Sequence, residues 1–346
     1  MLDTGCWILD DRASSIVPFS LGAVFAASLL ALSFLLVGCG EDEGKIRVGV
    51  SISGIAHPDS RLMKQAMKEN AGKYGARIVH ETKGLAELLT KGIDVLILNC
   101  SDSRELESSI RDAHHRSIPV VVMDCSPPQN LHVEAYIKLN QFGAGKMAAD
   151  YVAKELGGKG NVIVLEGPGD DEASRQITLG MYSVLEQCTG GLQTRPYIRI
   201  VADERHPNWD ERLAAGTVRS TLSKYADNIQ AVLAGSSQLA IGAVQAVVER
   251  RLASKIITTG IGADLAACKA IIAGTHDVEV DRMPYERALE ALSLAVAVAK
   301  DEDFHYDEEI GEGDPKIKVK FGPLRLITRE NVSVMKLAWP QLEDER

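Results

Sequence analysis

The sequence has no second long apolar run after the one near its start, no CxxC pair and no excess of basic charge. Without a second run of about 20 apolar residues, nothing in it reads as a channel or permease. Without CxxC, a zinc knuckle or a thioredoxin-type redox site is disfavoured. Lysine and arginine number 38 against 48 aspartates and glutamates, a balance of −10. That argues against nucleic acid as a partner, because phosphates require a basic surface. Hydrolase signatures are missing too: neither GxSxG nor HExxH occurs. Gly167-Pro168-Gly169 and Gly260-Ile261-Gly262 each fall between a strand pattern and a helix pattern. Neither continues to the third glycine of a dinucleotide loop, and Pro168 stiffens the first. Gly143-Ala144-Gly145-Lys146-Met147 lacks the leading glycine and the Ser or Thr that a phosphate loop places after its lysine.

What is present begins with a seam. In FLLVGCGEDEG, Phe34 to Gly44, a cysteine separates a greasy run from an acidic, glycine-rich one. No charge occurs between Arg12 and Glu41, and Leu21 to Val37 are almost all apolar. Such a run reads as a signal peptide or as an anchor helix. Leu36-Val37-Gly38-Cys39 resembles a bacterial lipobox. The resemblance implies that residues 1–38 are removed and that Cys39 is acylated. Each methylene buried in the bilayer then adds about 0.8 kcal/mol to anchoring. Asp3, Asp10 and Asp11 against Arg12 alone depart from the positive start of a signal peptide; translation from Val17 would remove that conflict. Lipidated or uncleaved, the rest of the chain is exported. It would comprise 308 residues with a balance of −8, enough for two domains. Apart from Cys39, its four cysteines, Cys100, Cys125, Cys188 and Cys268, are too few for a disulfide scaffold.

After Gly44, short β-branched runs alternate with amphipathic stretches. IRVGVSI, ARIVHE, DVLILNC and PVVVMDC are separated by helical patterns over Asp59–Tyr74, Leu85–Lys91 and Arg104–Arg116. A second series follows Asn140: helix Gly143–Leu156, NVIVLEG, helix Ala173–Gln187, PYIRIV, helix Trp209–Tyr225, IQAVLAGS, helix Gln238–Leu252, KIITTGI and helix Asp264–Ala273. Several strands are apolar at nearly every position, which predicts parallel sheets covered by helices on both faces. The fold class is α/β, doubly wound. Asp102 with Glu105 is placed to cap the helix after LILNC. Residues 301–315 read as an acidic loop, and KIKVKFGPLRLIT resumes a strand pattern. Ligands of open parallel sheets bind beyond the carboxyl ends of the strands. Polar residues and glycines gather there: SISGIAHPD, NCSDS, DCSPP, EGPGDDEASR, GSSQ and GADL.

These strand-end motifs, with VGVSISGIAHPDSRLMKQAMKENAGKYGARIV and above all GAGKMAADYVAKELGGKGNVIVLEGPG, resemble the periplasmic sugar-binding proteins of ribose and galactose type. Those are the substrate receptors of ABC importers. The resemblance covers residues 45 to about 331. It implies two doubly wound lobes joined by three crossing segments, here near Leu139–Phe142, Val280–Met283 and Glu312–Lys318. Residues 45–140 with 283–311 would form the first lobe, and 141–281 with 318–346 the second. It implies hydroxyl contacts from Asn99 and Asp124, a polar contact from Arg175, ring stacking on Trp209, and a polar contact from Arg282. The family's paired phenylalanines after the first strand are replaced by Asp59 and Ser60, after His57-Pro58. Ser236 and Ser237 replace an Asn-Asp pair, Cys125 replaces an arginine, and Gly262 replaces an aspartate. His57, Asp59 and Ser236 remain candidate ligand contacts. Sugar faces need aromatic surface and sugar hydroxyls need paired donors and acceptors; the chain keeps part of the second set and loses much of the first.

Each candidate also has a purely structural role open to it. Asp124 would bridge backbone amides at a strand end, His57 and Asp59 would start a helix, and Trp209 would pack in the core. If the third and fourth strands pair in matching register, Cys100 and Cys125 lie near disulfide range. The expected function is a monomeric solute-binding protein, with no catalysis, metal or cofactor, that delivers a sugar or polyol to the membrane permease of an ABC importer. A receptor that presents solute to a membrane sensor kinase, or a degenerate scaffold that binds nothing small, would carry the same fold.

Overall fold

The computed structural model describes residues 44–53, 58–80, 84–99, 102–128, 130–188, 197–311 and 316–344. The segment resembling a lipobox, with Cys39, lies outside the described residues, as do His57 and Cys100, and with Cys100 the expected bridge to Cys125. All the elements that follow belong to one unit, Ile46–Arg346.

The buried strands sort into two sheets. The first contains β1 (Ile46–Ile52), β2 (Ala76–His80), β3 (Val95–Asn99), β4 (Val120–Met123), β5 (Ala135–Lys138), β11 (Glu308–Ile310) and β12 (Ile317–Phe321), in the order β11-β12-β5-β4-β3-β1-β2. The second contains β6 (Gly160–Glu166), β7 (Ile198–Arg205), β8 (Ala231–Ala234), β9 (Ile257–Ile261), β10 (Val278–Asp281) and β13 (Arg325–Thr328), in the order β13-β10-β9-β8-β6-β7. Pairing is parallel except at one edge of each sheet, where β11 runs against β12 and β13 against β10.

Side-chain alternation explains why these strands are apolar throughout. Successive residues of a strand point to opposite faces. In the first sheet Val95, Ile97, Val121 and Met123 join one core with Met63, Met67, Ala291 and Leu292. Their neighbours Leu96, Leu98, Val120 and Val122 join another with Leu88, Leu106 and Ile110. The helices supplying those partners are α1 (Pro58–Asn70), α2 (Leu85–Leu88), α3 (Ser103–His114) and α9 (Pro284–Ala299). The second sheet repeats the scheme. Val162, Val164 and Leu233 face α4 (Gln141–Glu155) and α5 (Glu172–Cys188), while Ile163, Leu165 and Val232 face α6 (Glu211–Lys224) and α7 (Ser237–Glu249). A further helix, α8 (Leu265–Ala273), follows β9. The doubly wound α/β reading therefore holds for both lobes.

Local chemistry sets the helix ends. Asp102 accepts hydrogen bonds from the amides of Arg104 (2.8 Å) and Glu105 (3.0 Å), capping α3. Gly75 ends the turn after α1 in the left-handed conformation. Trp209, expected at a helix start, instead closes a short 3-10 turn, Pro207–Trp209, with Asn208 and Trp209 at φ 55 and 57°. Asp210 then caps α6. Helices α4 and α5 approach most closely at glycines. A β-carbon on Gly145 would overlap the carbonyl of Ile177, and one on Gly180 would overlap the carbonyl of Phe142.

The chain passes between sheets three times. It leaves β5 for α4 at residues 139–140, and leaves β10 for α9 at residues 282–283. The third passage differs from expectation. Strand β12 lies in the first sheet, beside β5, so the passage falls at residues 322–324, after Glu312–Lys318. The segment KIKVKF alternates polar and apolar residues, as an edge strand of either sheet would. The third passage starts against the end of β5: the Gly322 amide donates to the Lys138 carbonyl at 2.8 Å.

Candidate functional site

A cavity of about 380 Å³ opens beyond the carboxyl ends of the strands of the second sheet. Residues from both lobes shape it. Asp59 comes from the first turn of α1 in the first lobe. Gln141 opens α4, directly after the first passage, and Arg282 comes from the second. Asp171, Trp209, Ser236, Ser237 and Asp264 come from strand-end loops of the second lobe, and Trp339 comes from the C-terminal segment. A smaller adjoining cavity of about 80 Å³ shares Asp59, Gly262 and Trp339.

Several lining groups are held by helix starts. Asp171 accepts from the Ala173 amide at 2.8 Å, Ser236 Oγ from the Leu239 amide at 3.2 Å, and Asp264 from the Ala267 amide at 3.0 Å. Burial raises the pKa of Asp264 above the usual carboxylate range, outweighing its cap bonds. Burial also draws Arg282 below the usual guanidinium range, with Asp59 as the main opposing influence. The Trp209 ring lies against Gly167 and Gly235, and a β-carbon at Gly167 would collide with it. These two glycines give the indole its seat.

Beneath the lining runs a buried polar network. Glu279, fully buried, accepts from Ser237 Oγ at 2.7 Å and from the Ala263 amide at 2.9 Å. Its other oxygen lies 3.1 Å from His276 Nε2, and His276 Nδ1 lies 2.7 Å from Thr258 Oγ1. The loop Gly262–Asp264 is thus fixed from below by a strand residue.

Among the residues singled out from the sequence, Asp59, Trp209, Ser236 and Arg282 come together at the cavity. Asn99 and Asp124 form a separate pair. Asn99 Nδ2 donates to Asp124 Oδ2 at 2.8 Å. Arg287, from the buried face of α9, pairs with the same carboxylate: Nε lies 2.8 Å from Oδ1 and Nη2 lies 3.3 Å from Oδ2. Arg287 also donates to the Arg282 carbonyl, and its stem lies against Gly322. The carboxylate expected to meet solute hydroxyls is therefore engaged in a strut from β4 to the second and third passages. Arg175 is exposed on α5, bonded to Glu172 and to the Gly169 carbonyl at 3.0 Å.

Sequence reasoning did not single out Arg287, Glu279 or Trp339. Arg287 and Glu279 each left a signal: a charge inside an otherwise apolar helix face (PYERALEALSLAVAVA) and a charge at a buried strand position (VEVD). Trp339 left none, because it follows the last strand in a segment without periodicity. Among the described residues, no cluster of three or more His, Cys, Asp or Glu side chains could hold a metal ion. No described helix is long and apolar enough to cross a membrane.

Comparisons with known proteins point one way. The family model for the periplasmic binding protein domain matches residues 48–303. The ribose import binding protein of Bacillus subtilis is 26% identical over 243 residues, covering 68% of this chain and 76% of its own. The D-xylose-binding periplasmic protein of Escherichia coli is 23% identical over 318 residues, covering 88% and 92%. Among solved structures, a periplasmic ribose ABC transporter protein of Conexibacter woesei matches with a TM-score of 0.69 at 19% identity, covering 89% of this chain and all of its own. A solute-binding protein of Bacillus halodurans with bound myo-inositol matches with a TM-score of 0.59 at 22% identity, covering 86% and 100%.

Proposed function

The chain belongs to the periplasmic binding protein domain family, and from that premise we propose that it is a sugar or polyol receptor that loads its solute into the cleft and delivers it to an ABC importer. The family is one of binding proteins rather than enzymes. One observation carries the reading: the cavity of about 380 Å³ is lined jointly by the first lobe, the second passage and the second lobe. Its walls pair carboxylates, serines, an amide and a guanidinium with indole surface. Sugars need that mixture, apolar faces for their C–H surfaces and fixed donors and acceptors for their hydroxyls.

The role of each group follows from its setting. Trp209, seated on Gly167 and Gly235, offers a rigid ring for stacking. Asp171 and Asp264 accept hydrogen bonds from hydroxyls, while Arg282 and Gln141 donate from the passage side. Contacts from both lobes stabilise the closed form, because closure alone satisfies both sets of polar groups. A membrane permease then reads the closed form. Export with a lipid anchor at Cys39 keeps the receptor beside that permease.

Calorimetric titration with pentoses, hexoses, inositols, nucleosides and amino acids tests the reading. One sugar or cyclitol binds the wild-type chain, and Arg282→Ala or Trp209→Ala weakens that binding by tenfold or more, about 1.4 kcal/mol. Binding of a nucleoside or amino acid in place of every sugar would overturn the solute class while leaving the fold untouched.

A further inference from the structure

We propose that Trp339 determines specificity in the cleft: its indole supplies ring surface that the start of α1 lacks, and it selects cyclic over open-chain polyols. The proposal rests on the cleft being the solute site.

After β13 the chain makes a 3-10 turn, Val332–Leu337. Met335 and Ala338 pack with Cys268 and Ile271 of the second lobe, and Leu62 of α1 in the first lobe joins the same cluster. The Arg61 guanidinium donates to the Ala338 carbonyl at 3.1 Å. The segment is therefore gripped from both lobes, and the next residue, Trp339, falls at their junction. Its side chain lines both the large cavity and the small one. The indole N–H donates to the Ala263 carbonyl at 2.9 Å. Ala263 is itself fixed by Glu279, so the ring hangs from a rigid loop.

That hydrogen bond decides what the ring can offer. Its one donor is engaged by the backbone, so what remains for a solute is apolar surface. At the start of α1, Asp59 and the buried Ser60 offer no ring, and Ser60 Oγ donates to the Ser53 carbonyl at 3.0 Å. The described aromatic side chains of the large cavity are Trp209 and Trp339. A flat C–H face, as on a pyranose or cyclitol, suits such a wall. An open-chain polyol has no fixed face and loses more rotational freedom on binding.

The test is calorimetric titration of the chain with matched pairs: xylose and xylitol, glucose and sorbitol, myo-inositol and sorbitol. The wild-type chain prefers the ring member of a pair. Trp339→Ala lowers that preference by about three- to tenfold, and Trp339→Phe keeps most of it. An unchanged ratio in Trp339→Ala, or equal weakening of both members, would overturn the proposal and leave Trp339 a structural strap. If Trp339→Ala lowers the melting temperature of the ligand-free protein, Trp339→Leu decides, since it keeps apolar packing without a ring. A wild-type chain that binds no compound of any pair would instead contradict the solute reading on which the proposal stands.

Discussion

At the scale of single residues, some charged groups brace the protein and others line the cavity. Asp124 and Arg287 are of the first kind. Arg287 is 1% exposed and Asp124 is half-buried, and Asn99 completes the pair. Removing one partner leaves an uncompensated charge in a low dielectric, so Arg287→Ala should destabilise the fold by about 3–5 kcal/mol, read from urea unfolding. Asp264 lines the cavity and carries a pH signature. Burial raises its folded pKa above the unfolded value near 3.9. Between those two values the folded state holds more protons than the unfolded one. The contribution of Asp264 to stability is therefore greatest at low pH and falls as pH rises from about 4 through the folded pKa. Asp264→Asn keeps the cap on α8 and removes the titration. The melting temperature of the ligand-free variant, relative to wild type, should rise with pH over that window. A flat difference would show that burial does not govern this carboxyl.

At the scale of elements, α4 and α5 are set by two glycines. Gly145 lies against the Ile177 carbonyl and Gly180 against the Phe142 carbonyl. Gly145→Ala forces the helices apart and should cost about 1–3 kcal/mol, although alanine is the better helix former. Chemical unfolding of the variant checks the sign, which propensity alone would predict the other way. The same contrast explains what could be read from the chain. Strands such as VLILN and VVVM are apolar on both faces because helices cover both, so the α/β order was legible from pattern. The positions of Asp59, Trp209, Ser236 and Arg282 were legible because strand ends and passages follow from that order. Arg287 was not, because periodicity assigns it to a buried face without naming Asp124, 163 residues earlier, as its partner. The final passage was misplaced because β12 carries the alternation of an edge strand, which either sheet could accept. Trp339 reaches the cleft through packing on α8 and α1 and its hydrogen bond to the Ala263 carbonyl, which no local pattern encodes.

At the scale of the whole molecule, three passages cross between two sheets that share no strands. The Gly322–Lys138 hydrogen bond ties the third passage to the end of β5, where the first begins, and Arg287 joins the second passage to the third. On the proposed function, such an arrangement would bend at its passages while each lobe stayed rigid. Solute bridging both lobes would then shift the balance toward closure by its differential affinity for the two forms. Anchoring is tested separately: Cys39→Ser should abolish incorporation of labelled palmitate in an expressing bacterium and release the protein from membranes. The most direct test of the central claim is small-angle X-ray scattering of the chain without and with the saturating sugar or cyclitol that calorimetry selects. Closure of the lobes over the solute predicts a smaller radius of gyration with ligand, and the same change in Arg282→Ala only at a tenfold or more higher concentration. Tight binding with an unchanged scattering profile would contradict the account, because the solute would then be held by one lobe alone.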